Sequence, residues 1–412
     1  MTYQETLDYM FAQLPMYHRV GAAAYKADIQ PTIDMMAALG NPERKFRSIH
    51  VAGTNGKGSV SHMLASILQE AGYKVGLYTS PHLVDFRERI RINGEMIPQR
   101  EVVDFVERQR GMMEGLKLSF FEMTVGLAFD YFAKENVDVA VVEVGMGGRL
   151  DSTNVILPEL SVITNIGLDH TQFLGDTLEK IAAEKAGIIK PGVPVVIGET
   201  QAETEPVFRR VAAEKLAPIT FADQHYVVDD VTRYTTELTG EYQKKNIATV
   251  LEAVEVIRRG GLFDISTSAL QHGLARVVTN THLQGRWQVI SKEPLTICET
   301  AHNADGIRSM LGKLATMDYG RLHLIYGCVN DKDYAKILRM LPQDAVWYFT
   351  QPSVPRRLPV GELVKTAESI GLRGEAYGNV KEAIASARAN AAVNDLVLVT
   401  GSIFLVADAL TE

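Results

Sequence analysis

Short runs of apolar and β-branched residues recur along the chain with segments of helical period between them, an alternation best satisfied by parallel sheets crossed over by helices. FRSIHVAG (46–53), KVGLYTS (74–80), VDVAVVEVG (137–145), LSVITNIG (160–167) and VPVVIG (193–198) read as strands. They are apolar throughout rather than alternating, which predicts a sheet covered on both faces. Between them SVSHMLASILQEAG (59–72) reads as a helix, with Gly72 suited to its C-terminal cap. Residues 217–238 mix polar and β-branched positions without helical period and predict a small antiparallel excursion. After the helical EYQKKNIATVLEAVEVIRR (241–259) and a less regular THLQGRWQVISKEP (281–294), the alternation restarts with LTICET, RLHLIYGCV, AVWYFT and DLVLVTGS. The expectation is an α/β protein of two domains, 1–287 and a smaller 288–412.

Bulk properties agree with that division and narrow the class. A chain of 412 residues, 46% hydrophobic and 22% charged, can bury two separate cores. Its first residues, MTYQETLDYMFAQLPMYHRV, carry acidic side chains and no sustained apolar run, unlike a signal peptide. No apolar run approaches bilayer-spanning length, so a cytoplasmic protein without a membrane partner is expected. Cys298 and Cys328 sit in apolar runs and read as buried thiols rather than a disulfide framework. A net charge of −8 speaks against a nucleic-acid partner, while leaving room for a local basic pocket.

VAGTNGKGSV (51–60) is the first stretch that carries chemistry. It departs from the common phosphate-binding pattern, which has four residues between its glycines and Ser or Thr directly after Lys. Here Thr54 and Asn55 alone separate Gly53 from Gly56, and Gly58 stands between Lys57 and Ser59. A strand leading through glycines into a helix still turns backbone N–H groups and the positive helix end toward an anion, with nucleotide phosphates the natural occupant. Triphosphate chemistry calls for a hard cation, and its ligands belong at neighbouring strand ends. Ser80, Glu143 and His170 lie there. Each also has a plainer reading: Ser80 capping a turn, Glu143 paired with Arg149, and Asp169 and His170 starting a helix. EVGMGGRLDSTN (143–154) lacks the dinucleotide spacing and reads better as a glycine-rich loop over a site. Lys185, on an alanine-rich helix, reads by itself as a solvated lysine. In the second domain ETAHNADG (299–306) and VNDKD (329–333) put polar clusters after strands, which predicts a site facing the first domain.

These motifs together resemble a known family. LGNPERKFRSIHVAGTNGKGS (39–59), YTSPHL (78–83), VVEVGMGGRLDSTN (141–154), ITNIGLDH (163–170), EKAGIIKPG (184–192), ETAHNADG (299–306) and DKD (331–333) occur in the order found in the folate branch of the Mur ligase superfamily, the folylpolyglutamate and dihydrofolate synthases. Gly58 is similar to the folate type, since the peptidoglycan ligases usually place Thr or Ser there. The resemblance implies a phosphate-loop ATPase-like first domain and a Rossmann-like second. It implies ATP phosphates on Gly53, Thr54, Asn55, Gly56, Lys57, Gly58 and Ser59, and Mg2+, as two ions, on Ser80, Glu143 and His170. Lys185 falls on the family's CO2-carboxylated lysine, which inverts the plain reading. Asn246 and Arg286 match positions that contact ATP. Phe121, Glu122 and Asp151 lie in segments resembling the pterin-binding loops, and His302 and Ser402 fall near the glutamate site. Glu299 and Thr300 depart from the family's usual Asp-Gly, which leaves the role of Glu299 toward ATP open.

What the resemblance implies is an ATP-dependent ligase acting as a monomer. ATP phosphorylates the carboxylate of dihydropteroate or a reduced folate, and the amine of L-glutamate attacks the acyl phosphate. Lys57 and Arg286 then stabilise phosphoryl charge, and His302 orients the amine or takes its proton. Two other readings remain at this stage: a Mur-type ligase with a UDP-linked acceptor, and a phosphate-loop kinase or nucleotide-gated binding protein.

Overall fold

The structure is a computed structural model that describes residues 1–13, 28–240, 242–330 and 333–411. Its strands are β1 (Arg47–Ala52), β2 (Val75–Tyr78), β3 (Ile90–Ile92), β4 (Glu95–Met96), β5 (Val139–Glu143), β6 (Leu160–Ile163), β7 (Val195–Ile197) and β8 (Ile219–Phe221), followed by β9 (Gln288–Lys292), β10 (Leu295–Cys298), β11 (Leu322–Tyr326), β12 (Val346–Phe349), β13 (Gly374–Ala376) and β14 (Leu396–Thr400). Among the described residues the first eight form one sheet in the order β4-β3-β2-β5-β1-β6-β7-β8, and the last six a second in the order β13-β12-β11-β14-β10-β9.

β5 and β6 are buried along their whole length, as their uniformly apolar residues predict. Alternate residues serve opposite faces: Val139 and Val141 join the core beneath the helices Lys57–Glu70 and Gln243–Arg259, while Ala140 and Val142 join the one beneath Phe120–Lys134. β1 lies between β5 and β6, with Val51 level with Glu143 and Ala52 level with Ile163. The chain passes first to one side of β1 and then to the other, which opens a crevice at the C-terminal strand ends. Register therefore brings the loops after β1, β5 and β6 to one point.

The segment 217–238 corrects an expectation. β8 pairs parallel with β7, and helices Ala222–His225 and Val228–Thr232 follow it, so the β-branched Ile219 and Thr220 extend the parallel sheet. The antiparallel pairing of this sheet lies at its opposite edge, where β3 pairs with β2 and β4. Asn93 and Gly94, both at positive φ (47° and 84°), make the β3–β4 turn, a hairpin signal present in RINGEM. The irregular stretch 281–294 also holds β9, antiparallel to β10. No described helix is long and apolar enough to cross a membrane.

Candidate active site

The loop after β1 is shaped by its glycines. A side chain on Gly53 (φ 145°) would overlap Thr164 Oγ1, and one on Gly56 (φ 85°) would overlap Asn246 Oδ1. Asn165 holds the loop from below: its backbone O accepts from Thr54 N and its Oδ1 from Asn55 N, both at 2.9 Å. Thr54 Oγ1 accepts from Gly167 N at 2.9 Å. Gly56 starts the helix Lys57–Glu70, so the positive end of that helix opens onto the crevice. Lys57 Nζ donates to Gly53 O and Thr54 O, each at 3.1 Å, and is folded back onto its own loop. Gly58 carries no Cβ where one would lie 3.6 Å from Arg286 Nη2 and 3.9 Å from Glu143 Oε1. The residue that separates this loop from its commoner form thus leaves a guanidinium and a carboxylate beside the helix start.

Of the three strand-end residues, Ser80 and Glu143 are bonded directly. Ser80 N donates to Glu143 Oε2 at 3.0 Å, and Glu143 is 4% exposed. Burial raises its pKa, opposed by Lys57, the Ser80 N–H, Arg286 and Arg89. Arg149 pairs instead with Glu184, at 2.8 Å, which removes the plainer reading of Glu143. His170 (φ 51°) caps the short helix Thr171–Leu174 and lines the same cavity as Ser80. Among the described residues no group of three or more carboxylate, imidazole or thiol ligands is gathered. This set supplies one carboxylate, one imidazole and one hydroxyl.

Lys185 is where the plain reading fails. It is 4% exposed, at the end of the helix Leu178–Lys185, and its Nζ donates to Gly53 O at 2.8 Å. Lys57 uses the same carbonyl. Burial, and then the charge of Lys57, lowers the Lys185 pKa to about 7.

Lys57, Ser80, His170 and Lys185 line a cavity of about 250 Å³ between the two sheets. Phe120, Phe121, Gly145, Met146 and Asp151 line one side, and His302, Val329, Arg356, Ser402, Ile403 and Phe404 the other. Phe121 sits so close over Gly145 that a Cβ there would meet its ring. Glu122 also lines the cavity, yet its carboxylate reaches back to Ser119 N in a capping box. Asp151 accepts from Met146 N at 2.9 Å and Thr153 N at 3.0 Å, so it shapes the glycine-rich loop.

Behind the phosphate loop a second set gathers. Asn246 Nδ2 donates to Gln243 Oε1 (2.8 Å), and Gln243 Nε2 to Ser59 Oγ (3.2 Å). Arg286 bonds Thr300 Oγ1. Glu299, 3% exposed, accepts from Tyr242 O–H at 3.1 Å and Trp287 N at 2.9 Å, and burial raises its pKa. His302 Nδ1 lies 3.0 Å from Thr300 O and so carries its hydrogen there, leaving Nε2 3.6 Å from Asp169 Oδ2. Asn303 Nδ2 donates to Asn55 Oδ1 at 3.0 Å, directly joining the second unit to the phosphate loop. Of the DKD motif, Asp331 and Lys332 lie outside the described residues. Arg89, Tyr242, Gln243 and Arg356 were not singled out from sequence. Arg89 is buried although it lies in the charge-rich RERIRI (87–92), where nothing local marks it.

Comparison with known proteins decides among the readings. The Mur ligase middle domain matches residues 51–256 and the Mur ligase, glutamate ligase domain residues 285–403. The Bacillus subtilis dihydrofolate synthase/folylpolyglutamate synthase is 35% identical over 402 residues, covering 91% of this chain and 92% of that protein. The chain belongs to the Mur ligase family. Within it the chain falls in the folylpolyglutamate synthase/dihydrofolate synthase branch, and the two-unit α/β fold is the Mur ligase arrangement. The solved structure of Escherichia coli FolC in complex with DHPP and ADP superposes with a TM-score of 0.86 at 31% identity, covering 100% of this chain and 97% of that one. A Haloferax volcanii protein named as a probable bifunctional folylpolyglutamate synthase/dihydropteroate synthase is 34% identical, and this Mur ligase chain spans 50% of its length.

Proposed function

We propose that the chain is an ATP-dependent ligase that joins L-glutamate to the carboxylate of a folate-type acceptor, dihydropteroate or a reduced folate. The observation that carries this is the cavity itself. A glycine-shaped phosphate loop with Lys57 forms its floor, Phe120 and Phe121 give a flat apolar wall on one side, and the other wall belongs to the second unit. We place the division between the units after Trp287, where β9 begins.

In this reading the loop N–H groups and Lys57 hold the ATP phosphates, and Asn246 and Arg286 border the nucleotide. The acceptor carboxylate takes the γ-phosphoryl group. The glutamate amine then attacks the acyl carbon, and phosphate leaves. Arg286 and Lys57 balance charge on the phosphoryl oxygens as it moves. His302 Nε2 is placed to take a proton from the amine. The Asn55–Asn303 bridge and the enclosing walls keep water from the acyl phosphate.

Ser80, Glu143 and His170 fit a Mg2+ site, because Glu143 is a buried carboxylate whose ionised form wants a cation. Bound there, the metal supplies positive charge to the phosphates. Lys185 suits carboxylation: only a neutral amine attacks CO2, and burial beside Lys57 favours the neutral form. Nitrogen bonds the CO2 carbon, a proton leaves, and the product carbamate faces an ammonium instead of opposing one.

ADP release from ATP, Mg2+ and either acceptor is expected to depend on L-glutamate. A rate indifferent to glutamate with both acceptors overturns the ligase reading. Asn303→Asp tests the bridge, since it keeps an oxygen for Gly306 N, 2.8 Å away, while removing the donor to Asn55. Its melting temperature is expected to match the parent while kcat/KM falls about tenfold, as for one lost hydrogen bond. Equal activity would show the bridge to be idle.

A further inference from the structure

Arg286 stands at the junction of the two units, and the second unit holds it there through a residue to which no role has yet been given. The guanidinium bonds Thr300 Oγ1, while its Nη2 reaches the start of the helix Lys57–Glu70, 3.6 Å from where a Cβ on Gly58 would lie. On either side of Arg286 the backbone is in the left-handed region, at Gly285 (φ 73°) and Trp287 (φ 51°). Both flanking residues are tied to the two that follow β10. Thr300 N donates to Gly285 O at 3.3 Å, and Glu299 Oε2 accepts from Trp287 N at 2.9 Å and from the Tyr242 hydroxyl at 3.1 Å. A Cβ on Gly285 would come within 3.0 Å of Thr300 Cγ2, so the threonine methyl closes against that turn.

Thr300 is 6% exposed, and a β-branched side chain is stiff about χ1, so its hydroxyl is an acceptor fixed in place. Arginine has many rotamers, and one held in position before the phosphoryl group moves can balance its charge without reorganising. The backbone of the same residue serves a second group, since Thr300 O lies 3.0 Å from His302 Nδ1. Glycine, usual in the family at this position, would keep that carbonyl but offer Arg286 no hydroxyl. Resting on the ligase reading, we propose that Thr300 is a positioning residue of this chain, whose hydroxyl aims Arg286 at the phosphate loop across the junction between the units.

The test is steady-state ADP release by Thr300→Val, which keeps the shape and loses the hydroxyl, and by Thr300→Ser, which keeps the hydroxyl, each made in the parent and in Arg286→Ala. In the parent, kcat of Thr300→Val is expected to fall about 10- to 100-fold, as for a lost hydrogen bond to a charged group, with the glutamate and acceptor KM values unchanged. Thr300→Ser should keep most of the parent kcat. In Arg286→Ala, Thr300→Val should cost nothing further, because the hydroxyl acts through the guanidinium. A purely structural role would lower both backgrounds alike. Thr300→Ala, which adds no methyl beside the guanidinium, gives the same comparison where the valine variant melts early. A parent-like kcat on loss of the hydroxyl overturns the proposal, as does an equal loss with and without Arg286. Failure of the ligase reading is seen separately, as parent enzyme whose ADP release ignores glutamate.

Discussion

Lys57→Ala is expected to lower kcat/KM for glutamate-dependent ADP release by about a thousandfold or more, equivalent to about 4 kcal/mol of transition-state stabilisation. The side chain does two things at once. It places an ammonium against the loop carbonyls Gly53 O and Thr54 O, from which it can turn to a phosphate oxygen. It also sets the charge balance of its neighbours, holding Glu143 toward its ionised form and Lys185 toward its neutral one. Stability should change little, because Gly53 O keeps Lys185 as a donor and the half-buried Thr54 is within reach of water. Thermal melting checks the fold, and the coupled ADP assay reads the activity. A variant that melts like the parent and turns over at a similar rate would refute the loop assignment.

The features legible in the sequence are those written in contiguous residues. β1, its glycines and Lys57 form one uninterrupted run, and Ser80, Glu143 and His170 each end or closely follow a strand readable by itself; strand register sets Glu143 level with Val51, where it accepts from Ser80 N. What escaped depends on packing between distant segments. Tyr242 meets Glu299 across 57 positions, and nothing local to EYQKKN marks that tyrosine. Arg356 lies in a loop whose only local cue is a pair of arginines, and its orientation toward the cavity follows from bonds to Asn330 and Leu358's tie to Cys328. The edge hairpin went unread although Asn93-Gly94 carries its signal, and residues 217–238 misled because polar residues at helix caps and in short helices blur the period.

Lys185 shows how far such a misreading can reach, and it carries the second large effect. On sequence its helix is alanine-rich and looks solvated; in the fold the last turn slides under the glycine-rich loop, so close that a Cβ on Gly148 would crowd the carbonyls of Glu184 and Lys185. The amine is left buried, on the same carbonyl as a second ammonium. With its pKa lowered from 10.5 to about 7, the unmodified lysine binds fewer protons when folded than when unfolded between those two values. Stability of CO2-free protein is therefore expected to rise with pH across that window. Bicarbonate should add the mass of one CO2 in native mass spectrometry, lost on acidification, and activity should fall below pH 7 as the amine protonates. Lys185→Ala is expected to lose about a hundredfold or more in kcat, partly restored by acetate or formate, which return a carboxylate beside Lys57. Because Lys57 and Lys185 act on the same carbonyl and the charge of Lys57 favours the neutral form of Lys185, the double alanine variant should be little worse than Lys57→Ala alone. Full additivity, or a parent whose mass never changes with bicarbonate while acetate leaves Lys185→Ala unrescued, would rule out the carbamate and leave the buried lysine a structural donor to Gly53.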